Sequence, residues 1–250
     1  MNLKPTVVVL LLLLCASLGF AQAEPAVSAP AISFPTMLNV PLAPCLPFSA
    51  NVLSEYTHIQ KDESRVVTQA QDKIFRDSVG RTRAEFQTPS ASGSQQVENV
   101  LIMDPTMQLL IELDPLHKTA TVRRSSNIVA ESTCAARILA AVQSAQVSAG
   151  EIRTQTFPDG STFATEDLGT KDIEGFTVPG VRHTITRPSG GITIGEDWYS
   201  PELQMELIKT LVDAQSQRSL TVQNIQIDEP ELTLFQVPPD YTVRDIRTQY

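Results

Sequence analysis

Residues 197–210 read DWYSPELQMELIKT. Trp198, the chain's only tryptophan, leads into Ser200-Pro201, after which Leu203, Met205 and Leu207 alternate with Gln204, Glu206 and Ile208. Side chains of a strand point alternately to its two faces, so this period-two row behind a proline turn predicts a β-strand with one dry side. That dry side is either a filled core or the wall of a space for an apolar ligand.

The same pattern recurs along the chain. Leu109, Ile111 and Leu113 form a second alternating row, and Leu220 and Val222 a third. Ile225 and Ile227 continue the third row out of phase, which predicts a bulge where the buried face switches. Turn chemistry separates the runs. Asp104-Pro105 and Asp114-Pro115 combine an aspartate that bonds its own backbone with a proline that fixes φ, and Pro158-Asp159-Gly160 does the same later. In Phe75–Arg81, Gly80 supplies the freedom for positive φ at a strand end. Strand signals between turns every 8–12 residues predict a mainly β fold of ten or eleven strands.

One segment departs from this. Residues 130–146, AESTCAARILAAVQSAQ, have no Gly, no Pro and no alternation, and Cys134, Ile138, Ala141, Val142 and Ala145 share a helical face. They predict either an inserted helix, with Ile138 and Val142 as a candidate lid over the sheet, or a disordered spacer.

The N-terminus carries an address. Lys4, the apolar run Val7 to Leu14 and Ala21-Gln22-Ala23 form a secretory signal, 1–23, with cleavage near Ala23. The run is shorter than the ~20 residues that span a bilayer, and no later stretch exceeds it, so no transmembrane segment is expected in the mature chain. A lipoprotein reading at Cys15 is set against Leu14, which stands where a small residue is normal. The expected destination is the periplasm or the cell exterior. Residues 24–47 hold prolines at 25, 30, 35, 41, 44 and 47 and read as an extended, flexible arm. The single β-rich domain is then 48–250.

Cleavage leaves 250 − 23 = 227 residues, with 18 basic against 28 acidic once Lys4 is gone. An acidic chain is a poor partner for nucleic acid, whose binding draws on clustered Lys and Arg. Cys45 and Cys134 remain for an oxidising compartment and admit one pairing; a disulfide and two separate thiols are both consistent with the sequence.

Catalytic signatures are missing. His58, His117 and His183 are widely spaced, and there is no H-E-x-x-H, G-x-S-x-G or phosphate-binding glycine loop. The acid pairs Glu166-Asp167, Glu196-Asp197 and Asp228-Glu229 are adjacent, so on strands their members face opposite ways and form no ready dyad; solvated strand ends are the expected setting. These readings point away from an enzyme, and no cofactor or metal is implied.

The runs FRDSVGRTRAEF (75–86), DLGTKDIEGFTVPGVRHTITRPSGG (167–191) and DWYSPELQMELIKT, with SLTVQNIQIDEPELTLFQVPPDYTV (219–243), together resemble a group of secreted bacterial proteins frequent in Acidobacteria, a likeness that carries over no catalytic residue. The ending Leu234-Phe235-Gln236-Val237-Pro238-Pro239, followed by a last short strand, is similar to periplasmic lipoprotein carriers of the LolA/LolB type. That resemblance implies an open, curved antiparallel sheet, a half-barrel, with one or more helices on its concave side. It implies a lipid, acyl chain or lipoprotein segment as partner, held against Leu109, Ile111, Leu113, Leu203, Met205, Leu207, Leu220 and Val222. The alternative is a structural or protein-interaction domain with a fully packed core.

Overall fold

The computed structural model describes residues 46–89, 95–124 and 150–247. They form thirteen strands in a single sheet. In chain order these are β1 (Phe48–Ile59), β2 (Arg65–Arg76), β3 (Thr82–Pro89), β4 (Gln95–Asp104), β5 (Leu109–Asp114), β6 (Thr119–Arg124) and β7 (Ile152–Thr156). Then follow β8 (Thr162–Ile173), β9 (Phe176–Thr186), β10 (Ile192–Ser200), β11 (Met205–Val212), β12 (Ser216–Gln226) and β13 (Thr242–Asp245). The spatial order is β13-β6-β5-β4-β3-β2-β1-β12-β11-β10-β9-β8-β7, open at both ends. Two antiparallel meanders, β1–β6 and β7–β12, are therefore joined edge to edge through β1 and β12. A twisted sheet of this width curls, because right-handed twist accumulates across successive strands.

Among the described residues there is no α-helix, only a 3-10 turn at Leu232–Phe235. The expected helix at 130–146, with Ile138 and Val142, lies outside the described residues, as do Cys45, Cys134 and residues 1–45. The strand count exceeds the ten or eleven expected because both edges are short and exposed. β7 and β13 show no buried position, hence no alternation to read. One pairing also departs from the antiparallel expectation: β13 runs parallel to β6, Val243 beside Ala120.

The turns follow local chemistry. Asp104 Oδ1 accepts from the backbone N–H groups of Thr106 and Met107 between β4 and β5, and Asp114 Oδ1 accepts from His117 N–H between β5 and β6. Gly80 sits at φ 89° where β2 turns into β3, the left-handed conformation that costs glycine least. The bulge in β12 is present. Ser49 lies opposite Gln226 and Asn51 opposite Gln223, so two residues are accommodated where one would fit, and Asn224 takes φ 55°.

Directly opposed residues share a face, so the register traces each side of the sheet. Ile74 lies opposite Ala50 and Ala84. Its neighbour Phe75 lies opposite Arg83, which faces Ile102; Ile102 pairs with Ile111, and Ile111 with Val122. No shift intervenes, so Ala50 and Ile74 lie on one face and Ile102, Ile111 and Val122 on the other. The sheet thus has two apolar clusters on opposite faces. The first contains Phe48, Ala50, Val52, Ile74, Leu220 and Val222 of that face. Leu203, Met205 and Leu207 join the same cluster, as do Val178 and Trp198, although Trp198, beside Asp197 and opposite Gly180, lies on the reverse side of its strand from the Leu220 row. The second contains Val100, Ile102, Ile111, Leu113, Ala120 and Val122, covered by Phe235 of the 3-10 turn with Leu234, Val237 and Tyr241 packed against it.

Candidate functional site

The eight candidate lining residues are divided between these clusters. Leu203, Met205 and Leu207 are each 0% exposed and belong to the first cluster with Leu220 and Val222. Ile111 and Leu113 belong to the second, and Leu109 packs against it. Alternation within β5 is as expected. Its dry side, however, is the reverse of the side on which Leu220 and Val222 lie.

The apolar row that opens the question is packed by a bulge. Trp198 lies opposite Ile208 but Tyr199 lies opposite Glu206, which leaves Leu207 as the extra residue. The Trp198 ring covers Gly180 so closely that a Cβ there would stand 2.5 Å from it, and Lys171 Nζ lies 3.7 Å above the ring centre. Trp198 is therefore a packing residue.

The first cluster differs from an ordinary core in the polar groups it holds. Arg76 is completely buried. Its Nε and Nη2 donate to the Leu46 carbonyl at 3.2 and 2.9 Å, and Nη1 donates to the Leu203 carbonyl at 2.8 Å. The guanidinium also lies 4.9 Å from the Phe48 ring centre. Burial lowers its pKa to about 10, with Tyr199 opposing. This cation stitches the start of β1 to the turn between β10 and β11. Asp72, directly opposite Val52, is buried, and its carboxylate accepts from Gln87 N–H at 3.0 Å. Burial raises the Asp72 pKa, against that hydrogen bond. Ser54 is fully buried, and its Oγ has no hydrogen-bond partner among the described residues.

Beyond Ser54 the same face becomes polar in a regular way. One row of opposed residues runs Ser54, Leu220, Lys209, Asp197, Val181, Asp167. The next runs Tyr56, Arg218, Leu211, Gly195, His183, Thr165. Lys209 Nζ lies 3.3 Å from Asp197 and 3.5 Å from Glu206. Burial works against the Lys209 charge, yet the two carboxylates outweigh it and hold its pKa above the ordinary value. His183 Nε2 lies 3.5 Å from Asp197, and its ring stacks on Phe163 at 5.3 Å. Arg218 lies 5.3 Å from the Tyr56 ring centre.

The opposite face at this end is different. Arg182 binds Glu166 and Glu196 at 2.8 Å each, and its pKa is raised by Glu196 first and Glu166 second. The acid pairs split between faces as alternation requires: Glu166 and Glu196 to Arg182, Asp197 to Lys209 and His183. Glu166-Asp167 and Glu196-Asp197 are not at solvated strand ends, because β8 and β10 continue past them and pair on both sides, whereas Asp228-Glu229 lies exposed just beyond the end of β12, as expected. Among the described residues no group of three or more His, Cys, Asp and Glu could hold a metal ion, and no helix is long and apolar enough to cross a membrane. Arg76, Asp72 and the Lys209–Asp197–His183 group were beyond sequence reasoning. The only signal available was a charged residue at an apolar-phase position, as with Asp72 and Arg76 beside Ile74.

No family model matches the chain, and no curated protein matches it. Among solved structures it is similar to a LolA superfamily protein from Nitrosomonas europaea, at 12% identity and TM-score 0.34, covering 76% of this chain and 90% of that one. It is also similar to the lipoprotein LppX of Mycobacterium tuberculosis, at 10% identity and TM-score 0.30, covering 72% and 89%. LprF of Mycobacterium bovis is similar at 11% identity and TM-score 0.31, covering 78% and 90%.

Proposed function

We infer that the protein is an exported, non-catalytic binding module whose first face accepts an amphiphile: an acyl chain, a lipid or an acylated lipoprotein segment. One observation carries this reading. On a single face of an open sheet, a cluster built on Val52, Leu220 and Val222 passes without a break into rows bearing Lys209, Asp197, His183, Arg218 and Tyr56. A molecule with an apolar tail and a polar head meets matching chemistry along that gradient, in the manner of pockets that combine apolar walls with a few placed polar groups. Leu203, Met205 and Leu207 belong to the same cluster, while Ile138 and Val142 remain the candidate lid. The N-terminal signal supports export, and the carrier-like ending at 234–239 agrees with it.

Native mass spectrometry and organic extraction of the purified chain test the reading. The expected result is a co-purifying acyl lipid, and saturable uptake of an environment-sensitive dye that a long-chain fatty acid displaces. Leu211→Glu, at a half-buried position beside Arg218 and Gly195, should abolish uptake while the fold persists. A ligand-free chain that takes up no dye overturns the proposal. It would favour the second reading, an interaction domain with a packed core, to which the complete burial of Leu203, Met205 and Leu207 already lends support.

A further inference from the structure

The two edges of the sheet are unlike. β13 is four residues long, carries Arg244 and Asp245, and ends in an Asp245–Arg247 ion pair. Short length and charge are devices that keep an edge from pairing with other chains. β7 has neither proline, lysine nor bulge. Its sequence is IRTQT, all five residues are exposed, Ile152 by 63%, and its one charge, Arg153, is engaged with Glu151 at 2.8 Å.

The free backbone groups of β7 can be assigned. Phe157 N–H donates to Ser161 O at one end of the β7–β8 pair, and Asp167 N–H to Glu151 O at the other. Antiparallel ladders alternate bonded and non-bonded pairs. Gln155 and Arg153 therefore bond to β8, and the N–H and C=O groups of Ile152, Thr154 and Thr156 point outward. No described strand pairs with them.

We propose that β7 pairs antiparallel with β7 of a second copy of this chain, about a two-fold axis through Thr154. That register sets Thr154 against Thr154 of the second copy and Ile152 against its Thr156. Every outward-pointing residue then meets an outward-pointing residue, and each of the three pairs exchanges two hydrogen bonds. Arg153 faces Gln155 of the second copy, so no like charges oppose. Behind the edge, the row Thr154, Ala164, Thr184, Ile194 and Val212 contains no charged residue, although the chain carries a net charge of −9. Two acidic copies repel one another, and this row adds no charge to that repulsion. The contact is small, so association is weak and dependent on concentration, and salt strengthens it by screening the net charge. It stands apart from the ligand reading and is tested without lipid.

Sedimentation velocity from micromolar to near-millimolar protein, at low and high salt, tests it. The chain should shift from monomer to dimer as concentration rises, more readily at high salt. Thr154→Pro removes an outward N–H without breaking a bond to β8, and Thr154→Lys places two like charges on the axis. Both should remain monomeric with unchanged circular dichroism and Tm, whereas Val243→Lys at the other edge should dimerise as the parent does. A monomer at every concentration, or dimers of Thr154→Pro and Thr154→Lys equal to the parent's, overturns the proposal.

Discussion

The two apolar clusters are built alike and finished differently. The second is made of aliphatic residues from β4, β5 and β6 and sealed by Phe235. The first shares its space with Ser54, Asp72 and Arg76. Polar groups in a core cost stability unless they are paired, so a face that keeps them is specified by more than packing. The sealed cluster holds the sheet together. The polar-containing cluster lies on the face where the chemistry changes along the strands, the face that the proposed ligand would occupy.

Substitutions in the two clusters should separate their roles. The largest effect is expected at Phe235, whose ring closes the second cluster. Phe235→Ala should destabilise the fold by about 3 kcal/mol in denaturant titration through cavity formation, while the dye uptake expected of the first face is retained. Loss of uptake at unchanged stability would make the two faces one functional unit. A smaller loss, about 1–3 kcal/mol, is expected for Gly180→Ala, since the new Cβ would meet the Trp198 ring at 2.5 Å. Because Trp198 is the only tryptophan, its fluorescence should shift in the same variant. An unshifted spectrum would mean that the ring does not pack on β9.

The smallest effect concerns Asp72 and depends on pH. Burial raises its folded-state pKa above the unfolded value. The native state then binds the proton more tightly, and stability falls as pH rises from the unfolded value through the folded one. Asp72→Asn keeps an oxygen for Gln87 N–H. It should raise Tm at neutral pH, and the gain should vanish in acid below the ordinary carboxylate pKa. A gain that persists in acid would show that the carboxylate is not charged at a cost in the native state.

Much of the architecture was legible from short-range chemistry. Asp104, Asp114 and Gly80 act within a few residues of themselves, so their turns need no knowledge of the rest of the chain. Alternation likewise puts Glu196 and Asp197 on opposite faces and a break in phase between Val222 and Ile225, where Asn224 takes φ 55°. The candidate site was only half legible. Leu220 and Val222 read as one dry face in the sequence, yet Lys209, Asp197 and His183 are scattered residues until register aligns them.

Short-range chemistry sets the local grammar: strands, turns, the bulge, and which residues within one strand share a side. Which side of β5 matches which side of β12 is fixed by the assembled sheet. Parity is defined within a strand, and its relation to a distant strand passes through every intervening register, so Ile111 and Leu220 could be assigned to opposite faces only once that chain of pairings was known. The burial of Arg76 was decided in the same way, since its partners, the carbonyls of Leu46 and Leu203, lie 30 and 127 residues away.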